Sequence, residues 1–196
     1  AREVLRAVGE LSALAQATGG PLSGRLRLGV IPTVAPYLLP RVLRHLAAAY
    51  PDIDLRPREA VTPKLVRDLT EGRLDLAMVA LPVSEPSFTE AALFDEEFLL
   101  VRNVDAAHLP VPPLVDLPDM PLLLLEEGHC FRDQAIAFCK LPPSPAGEIM
   151  EGSSLSTLVQ MVGAGIGVTL IPEMAAEVEL RSAPVVLHQL PEPRPK

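Results

Sequence analysis

The sequence has 196 residues, of which 48% are hydrophobic and 21% charged, with a formal net charge of −8. This length and composition indicate a globular protein that buries a sizeable core as one large domain or two small ones. The acidic balance argues against a nucleic-acid-binding face, no apolar run is long enough to cross a bilayer, and two cysteines do not make a disulfide scaffold, which favours a reducing cytoplasm.

Residues 2–17 show an amphipathic helical pattern, and the stretch TGGPLSG at 18–24 follows it as a flexible joint. A helix with its own linker ahead of the first strand indicates that the segment belongs to a longer protein. An ordinary first helix of the domain fits the same pattern equally well.

Residues 25–81 predict alternating strands and helices. Hydrophobic alternation or short apolar runs mark the strands, and a 3.6-residue period marks the helices. The predicted elements are strand 25–31, helix 32–51, strand 53–57, helix 63–71 and strand 75–81. This β-α-β-α-β order argues for an α/β sandwich with a parallel-rich sheet.

Both helices of this half carry local signals in their sequences. Thr62 and Pro63 fit the N-cap and the first position of the second helix, and Gly72 fits the residue after its end. On the first helix, the side chains expected to face inward are Val42, Leu43, Leu46, Ala47 and Tyr50.

Residues 96–190 predict a second α/β unit. Its predicted strands are 96–102, 121–127, 166–172 and 184–190. Helices are predicted at the cysteine-containing segment, at 153–165 with a serine cap, and at 172–178. Two lobes with a cleft between them follow, and clefts at the carboxyl ends of strands bind ligands.

The run GHCFRDQAIAFC at 128–139 holds the only two cysteines, Cys130 and Cys139, which are too far apart for a metal-binding pair. A helical period is formed by Phe131, Ala135 and Phe138. Nine residue steps along a helix separate two Cα atoms by about 13–14 Å, whereas a disulfide requires less than about 7 Å. The spacing therefore predicts a switch that bridges only when the helix unwinds or, alternatively, two buried core cysteines.

The residues around Cys130 fit a reactive thiol. A helix N-terminus favours a thiolate and so do cationic neighbours, here His129 and Arg132, whereas the glutamates at 126–127 oppose it if they point inward. Cys139 lies in the more apolar, C-terminal part of the helix, which suits a resolving rather than an attacking cysteine.

Several segments of the chain resemble the OxyR family of LysR-type transcriptional regulators, which sense hydrogen peroxide. These segments are 26–40, 71–81, 93–101, 126–139, 153–172 and 191–194. The lobe pattern is generic to LysR-type regulators, whereas the GHC-x8-C element is specific to OxyR-like members. The resemblance spans residues 24–194.

The resemblance implies an α/β fold of two Rossmann-like lobes, the LysR-type effector-binding fold that is also periplasmic-binding-protein-like. Residues 1–23 would be the end of a linker helix with its hinge, 24–94 the first regulatory lobe, and 95–196 the second lobe with the redox cysteines. The winged helix-turn-helix domain, and the last strand and helix that return to the first lobe, would lie outside this sequence.

The resemblance also implies roles for individual residues. Cys130 would react with peroxide and Cys139 would resolve the product as a reversible disulfide. The peroxide pocket would be lined by Thr33, Thr62 and His129. Arg132 and Asp133 would position the helix, and the nearest candidate for the family's pocket arginine is Arg194.

On their residue pattern alone, Thr62 is a helix cap, Thr33 a turn or cap residue, and His129 a solvent-facing turn residue. The remaining histidines are scattered and fit surface or packing positions: His45, His108 and His188.

The partners implied by the resemblance are hydrogen peroxide, DNA through the absent N-terminal domain, further copies in a homodimer or homotetramer, RNA polymerase, and thioredoxin or glutaredoxin as reductant. We expect a cytoplasmic regulator that is not an enzyme and has no metal or cofactor.

Three other functions remain open at this stage. A LysR-type effector domain could bind a small organic anion through Thr33 and the serines at 153–154 near a helix N-terminus. A periplasmic solute-binding protein would share the fold and hold a constitutive Cys130–Cys139 disulfide. A peroxidase-like enzyme is disfavoured, since nothing else in the sequence indicates a catalytic cycle.

Overall fold

A computed structural model describes residues 23–140 and 150–191. They form two compact units: the first holds the described residues up to Val79 together with Val83–Phe88, and the second holds Ala80–Pro82 and the described residues from Thr89 onward. The predicted helix 2–17 and the candidate Arg194 lie outside the described residues. Within the described ranges, no helix is long and apolar enough to span a membrane.

The first unit is a three-layer fragment built on a parallel sheet. Its elements in chain order are β1 (Gly24–Val30), α1 (Ala35–Ala49), β2 (Ile53–Glu59), α2 (Thr62–Thr70) and β3 (Leu76–Met78). The strand order is β2-β1-β3, and both pairings with β1 are parallel. The predicted βαβ succession is therefore confirmed for this half.

The core of the first unit lies between β1 and α1, where Leu28, Val30 and Ala35 are buried. Two of the predicted inward positions are wrong, since Ala47 near the end of α1 and Tyr50, which follows the helix as its C-cap, are exposed. The reason is that this helix covers the sheet mainly with its first two turns.

The strand β3 is much shorter than predicted and is not covered on both faces. It has three residues, and the Leu76 side chain is 54% exposed. Arg27 on β1 fixes the entry to β3 by binding both carboxylate oxygens of Asp75, at 3.0 and 2.6 Å. This pair lowers the pKa of Asp75, because the charged carboxylate accepts hydrogen bonds from Arg27.

The helix α2 begins at Thr62, with Val61 as its N-cap, so the predicted capping role of Thr62 is wrong. Pro63 therefore occupies the second rather than the first position of the helix. Gly72 follows the C-cap with φ +66°, as predicted for a residue that closes a helix in the left-handed conformation.

The inner side of α2 carries a buried charge. The Asp68 side chain is fully covered and accepts hydrogen bonds from Lys64 (2.5 Å), Arg73 (2.6 Å) and Arg58 (3.1 Å). The hydrogen bond from Lys64, followed by that from Arg73, lowers the pKa of Asp68 to about 2 despite the opposing cost of burial. These bonds hold α2, and with it Thr62, against β2 and the following turn.

The second unit is a mixed α/β structure rather than a parallel one. Its elements are β4 (Phe98–Asn103), β5 (Leu124–Leu125), α3 (Cys130–Cys139), β6 (Glu151–Gly152), α4 (Leu155–Gly163), β7 (Thr169–Pro172), α5 (Ala176–Glu179) and β8 (Val185–Gln189). The central strand β4 is antiparallel to both β7 and β8. The short β5–β6 pair is parallel, and so is an isolated bridge between Leu122 and Val168.

Helix α4 packs on the antiparallel sheet and is capped as predicted. The Ser154 hydroxyl accepts a hydrogen bond from the Thr157 backbone N–H at 3.2 Å, which satisfies one of the free donors of the first turn. Asn103 on β4 donates to the Gly163 carbonyl at 2.7 Å and so joins the sheet to the end of the helix.

Candidate functional site

The two cysteines stand at opposite ends of one helix, as predicted. Helix α3 runs from Cys130 to Cys139, and both residues are free thiols. Gly128, with φ +92°, turns the chain into the helix, and Lys140 ends it in the left-handed conformation with φ 51°. Ten continuous helical residues keep the two Cα atoms about 13–14 Å apart, twice the reach of a disulfide.

The buried face of α3 anchors the helix in the second unit. This face consists of Phe131, Ala135 and Cys139. The Phe131 ring packs on that of Phe98 in β4, with ring centroids 4.5 Å apart and planes tilted by 42°. Phe138, predicted on this face, is only half-buried, because its neighbour Cys139 takes the inward position.

The residues near Cys130 in the sequence include a buried histidine and two exposed glutamates. His129 is the N-cap residue of α3 and is 7% exposed, so the interpretation from the residue pattern alone, a solvent-facing turn residue, is wrong. Cys130 itself is half-buried at the first helical position. The glutamates at 126–127 are exposed and do not point inward. Cys130 therefore lies at the helix N-terminus with no buried glutamate from positions 126–127 beside it.

Cys139 occupies an apolar position and is 2% exposed. Burial raises the pKa of its thiol from 9.0 to about 11, because the thiolate would lose its hydration. Cys139 is therefore a protonated, shielded thiol while the helix is intact.

Arg132 fastens the first turn of α3 to the neighbouring strands. Its Nη1 donates to the Leu125 carbonyl of β5 at 2.8 Å and pairs with the Glu151 carboxylate of β6 at 2.7 Å. Glu151 was not predicted, because no local pattern in the sequence indicates that these two side chains meet. Asp133 is exposed in the same turn, where a negative charge interacts favourably with the helix dipole.

Thr33 and Thr62 lie together at one edge of the first unit's sheet. Each follows the end of a strand by three residues, and the last residues of those strands, Val30 and Glu59, are register partners. Because the strands are parallel, both threonines stand at the carboxyl edge, where α/β sheets bind ligands.

The Thr33 side chain is buried, and the Thr62 hydroxyl is buried with no hydrogen-bond partner among the described residues. An unsatisfied buried hydroxyl is unusual in a native structure and calls for a ligand or water. No signal in the sequence distinguishes this orphaned hydroxyl from a cap.

The predicted site residues thus fall into two groups, one in each unit. Thr33 and Thr62 share a sheet edge in the first unit, and His129 is adjacent to Cys130 in the second. Ser154, a candidate for anion binding, uses its hydroxyl as the α4 cap. Within residues 23–140 and 150–191, no cluster of three or more His, Cys, Asp or Glu side chains could hold a metal ion.

The other histidines fit the predicted surface and packing roles. His45 and His108 are exposed. His188 on β8 lies 2.9 Å from the buried Arg102 guanidinium, and its pKa is lowered by burial and by that positive charge.

Residues 19–196 match the LysR substrate binding domain, and the chain belongs to this family. Its relatives point to one branch. Over its whole length the chain is 44% identical to a probable hydrogen peroxide-inducible genes activator of Streptomyces viridosporus and 39% identical to the DNA-binding transcriptional dual regulator OxyR of Escherichia coli K12. It spans 64% and 65% of the length of these two relatives.

Solved structures agree with the sequence relatives. A hydrogen-peroxide-bound mutant of Corynebacterium glutamicum OxyR matches 96% of the chain with 35% identity and a TM-score of 0.83, and the chain covers 61% of that protein. The reduced regulatory domain of Vibrio vulnificus OxyR2 matches 90% of the chain with 33% identity and a TM-score of 0.79, with 84% of that domain covered. The predicted two-lobe LysR-type fold is confirmed.

Proposed function

We propose that this chain is the regulatory domain of a peroxide-sensing transcription factor whose Cys130 reacts with hydrogen peroxide and then forms a reversible disulfide with Cys139. One observation carries the proposal: a half-buried thiol and a shielded thiol occupy opposite ends of a single helix that must unwind before they meet. The printed names of the relatives, hydrogen peroxide-inducible activators and a peroxide-bound OxyR, support the same ligand.

The first step is a two-electron oxidation of Cys130. Its thiolate attacks one oxygen of H₂O₂, the O–O bond breaks, and the departing hydroxide takes a proton to leave as water. The product is a sulfenic acid at Cys130. Cys130 begins this step from the first position of helix α3.

The peroxide is held by groups that both donate and accept hydrogen bonds. A small neutral ligand with two O–H groups suits the hydroxyls of Thr33 and Thr62 and the imidazole of His129. The Thr62 hydroxyl supports this role because it has no partner among the described residues, so binding peroxide costs it no existing bond.

The second step joins the sulfurs. The Cys139 sulfur attacks the sulfenic sulfur of Cys130, the S–O bond breaks, and water leaves with the thiol proton. Because the Cα atoms must come within about 7 Å, helix α3 has to unwind first. Unwinding also exposes Cys139, which returns its pKa toward the ordinary value and makes it a better nucleophile.

The oxidised form is strained and easily reduced. Closing a ten-residue ring stabilises a fold by roughly 3 kcal/mol in the chain-entropy model. Exposing a buried phenylalanine such as Phe131 costs about 1.5–3 kcal/mol, and lost helix bonds add to that cost. The disulfide therefore has a less negative potential than a structural one, within reach of thioredoxin or glutaredoxin.

The output is transcriptional rather than catalytic. The remodelled segment around α3 changes contacts in a homodimer or homotetramer, and a separate N-terminal domain transmits the change to DNA and RNA polymerase. One peroxide is consumed per reduction cycle, so the domain acts as a regulator and not as an enzyme. A thiol-based switch of this kind works in the reducing cytoplasm.

The proposal is tested by adding stoichiometric hydrogen peroxide to the thiol-reduced protein and mapping both cysteines over time by mass spectrometry. We expect a transient oxygen adduct on Cys130, followed by a Cys130–Cys139 bond. Cys139→Ser should accumulate the adduct without the bond, and Cys130→Ser should form neither. Unreactive or randomly oxidised thiols would favour instead a LysR-type domain that binds a small organic anion.

A further inference from the structure

The ion pair between Arg132 and Glu151 links the start of the cysteine helix to the strand that follows it in the chain. The Arg132 side chain is 13% exposed and the Glu151 side chain 38% exposed, and the N–O distance is 2.7 Å. Glu151 is the first residue of β6. The pair therefore joins the first turn of the helix that has to unwind to a strand of the same unit.

A second hydrogen bond ties Arg132 to the other strand of the same pair. The Arg132 Nη1 also donates to the Leu125 carbonyl on β5, and β5 and β6 are neighbouring strands. The guanidinium is thus held between two strands, and the first turn of α3 cannot leave the sheet without losing both contacts. Phe131, one residue earlier, adds its packing on Phe98.

We propose that Arg132 and Glu151 form a latch that keeps helix α3 closed and thereby sets the rate of disulfide formation after Cys130 has been oxidised. This rests on the proposed function and adds a positioning residue, Glu151, that acts through Arg132 and touches neither thiol nor peroxide. The latch slows the opening of the helix and leaves the reaction of Cys130 with peroxide unchanged.

The central experiment compares Glu151→Gln with the unaltered protein. The substitution removes the charge and keeps the shape, so the sulfenic acid on Cys130, trapped in a Cys139→Ser background, should form at the same rate. Disulfide closure should become about two- to fivefold faster, the range expected for a partly exposed ion pair. Glu177→Gln is the matched control, because Glu177 forms a 2.6 Å ion pair with Arg181 on the exposed surface of the same unit.

The salt dependence of the rate of disulfide closure distinguishes an ion-pair latch from a purely structural role of Glu151. Ions screen a partly exposed pair, so closure in the unaltered protein should accelerate between about 0.01 and 1 M salt. The Glu151→Gln variant should lose this dependence, and Glu177→Gln should retain it. The latch would be overturned if Glu151→Gln closed the disulfide at the same rate as the unaltered protein, or if the substitution changed only the rate of sulfenic acid formation.

Failure of the proposed function gives a different result. In that case the unaltered protein forms no Cys130–Cys139 bond, and amide hydrogen exchange in the reduced protein tests the latch instead. Faster exchange across residues 130–139 in Glu151→Gln than in Glu177→Gln supports a latch on the helix. Equal exchange in the two variants rejects it.

Discussion

At the scale of single residues, the two thiols differ because of where one helix places them. Cys130 lies half-exposed at the positive end of the helix dipole, and Cys139 lies on the apolar face. The same residue type is thus half-exposed at one end and shielded at the other. This division fits the attacking and resolving roles that we propose for the two cysteines.

Burial of Cys139 makes the stability of the reduced protein depend on alkaline pH. Its pKa rises from 9.0 to about 11 on folding, so the folded state holds the proton more tightly than the unfolded state. The resulting stabilisation, about 2–3 kcal/mol, is complete below pH 9 and is lost as the pH rises through 11. We expect the stability difference between the unaltered protein and Cys139→Ala to fall by this amount over that range.

Urea unfolding under a phosphine reductant measures this difference, and the Ala variant cancels the titration of lysines and tyrosines. A difference that stays constant from pH 8 to pH 11 would show that Cys139 is not shielded in solution.

The orphaned hydroxyl of Thr62 can be separated from a structural role by removing it. Thr62→Val keeps the shape and breaks no hydrogen bond among the described residues, so the free energy of unfolding should stay within about 0.5 kcal/mol of the original or rise. Formation of the sulfenic acid on Cys130 should slow by about three- to tenfold, the loss expected for one hydrogen bond to peroxide.

Thr169→Val is the matched control for this substitution. The Thr169 hydroxyl is buried and donates to the Leu123 carbonyl at 2.9 Å, so its removal should destabilise the protein by about 1–3 kcal/mol. The oxidation rate at Cys130 should not change. Marked destabilisation by Thr62→Val, with an unaltered oxidation rate, would assign Thr62 to the fold alone.

At the scale of elements, helix α3 is closed at its C-terminal end by a residue in an unfavourable conformation. Lys140 adopts φ 51°, which costs a side chain with a Cβ about 1 kcal/mol or more relative to glycine. The bonds of its N–H to the Ile136 and Ala137 carbonyls nevertheless end the helix there. The helix that unwinds in the proposed mechanism therefore has a weakened last turn next to Cys139.

Replacing Lys140 by glycine should strengthen the closed helix. We expect the equilibrium with a glutathione buffer to shift toward the dithiol by about two- to fivefold, since the relieved strain is partly offset by the flexibility of glycine in the opened state. Ser84→Gly relieves a similar conformation, φ 58°, in the first unit and should leave the equilibrium unchanged. A shift toward the disulfide in Lys140→Gly would contradict this account.

The elements that the sequence predicted well are those defined by local periodicity and caps. The bounds of α3 and the Ser154 cap depend on residues close in the chain, and both are found in the structure. The two-residue strand β5 was predicted too long, at 121–127, and the two-residue strand β6 was not predicted. Strand length depends on pairing partners that a linear pattern does not reveal. For the same reason the antiparallel β4 sheet was not expected.

One part of the candidate site could be predicted from the local sequence pattern, and the peroxide-pocket residues were proposed only from the resemblance to a known family. The spacing of Cys130 and Cys139 on one helix follows from the sequence, and the structure agrees. The orphaned hydroxyl of Thr62 and the Arg132–Glu151 pair depend on contacts between distant segments, and no local signal indicates them. A helical period also cannot decide which of two adjacent residues faces inward, as Phe138 and Cys139 show.

At the scale of the whole molecule, the charge of the chain is divided unequally between its two units. Among the described residues, the first unit has nine lysines and arginines against seven aspartates and glutamates, whereas the second has four against fourteen. The argument from net charge against nucleic-acid binding therefore applies to the second unit in particular. Arg132 is one of the few cations of that acidic unit, so an exposed glutamate such as Glu151 is a natural partner.

Because α3 has to unwind, the response of the proposed sensor would depend on the duration of exposure to peroxide as well as on its concentration. Oxidation of Cys130 accelerates with the peroxide concentration, but the unwinding that follows is set by the protein alone. At high peroxide the overall response would therefore reach a ceiling. While it waits, the sulfenic acid can be returned to the thiol by reductants or driven by a second peroxide to a sulfinic acid. A brief exposure to peroxide would therefore leave Cys130 as a thiol, and a sustained exposure would produce the disulfide. An extreme exposure would inactivate the proposed sensor by over-oxidation.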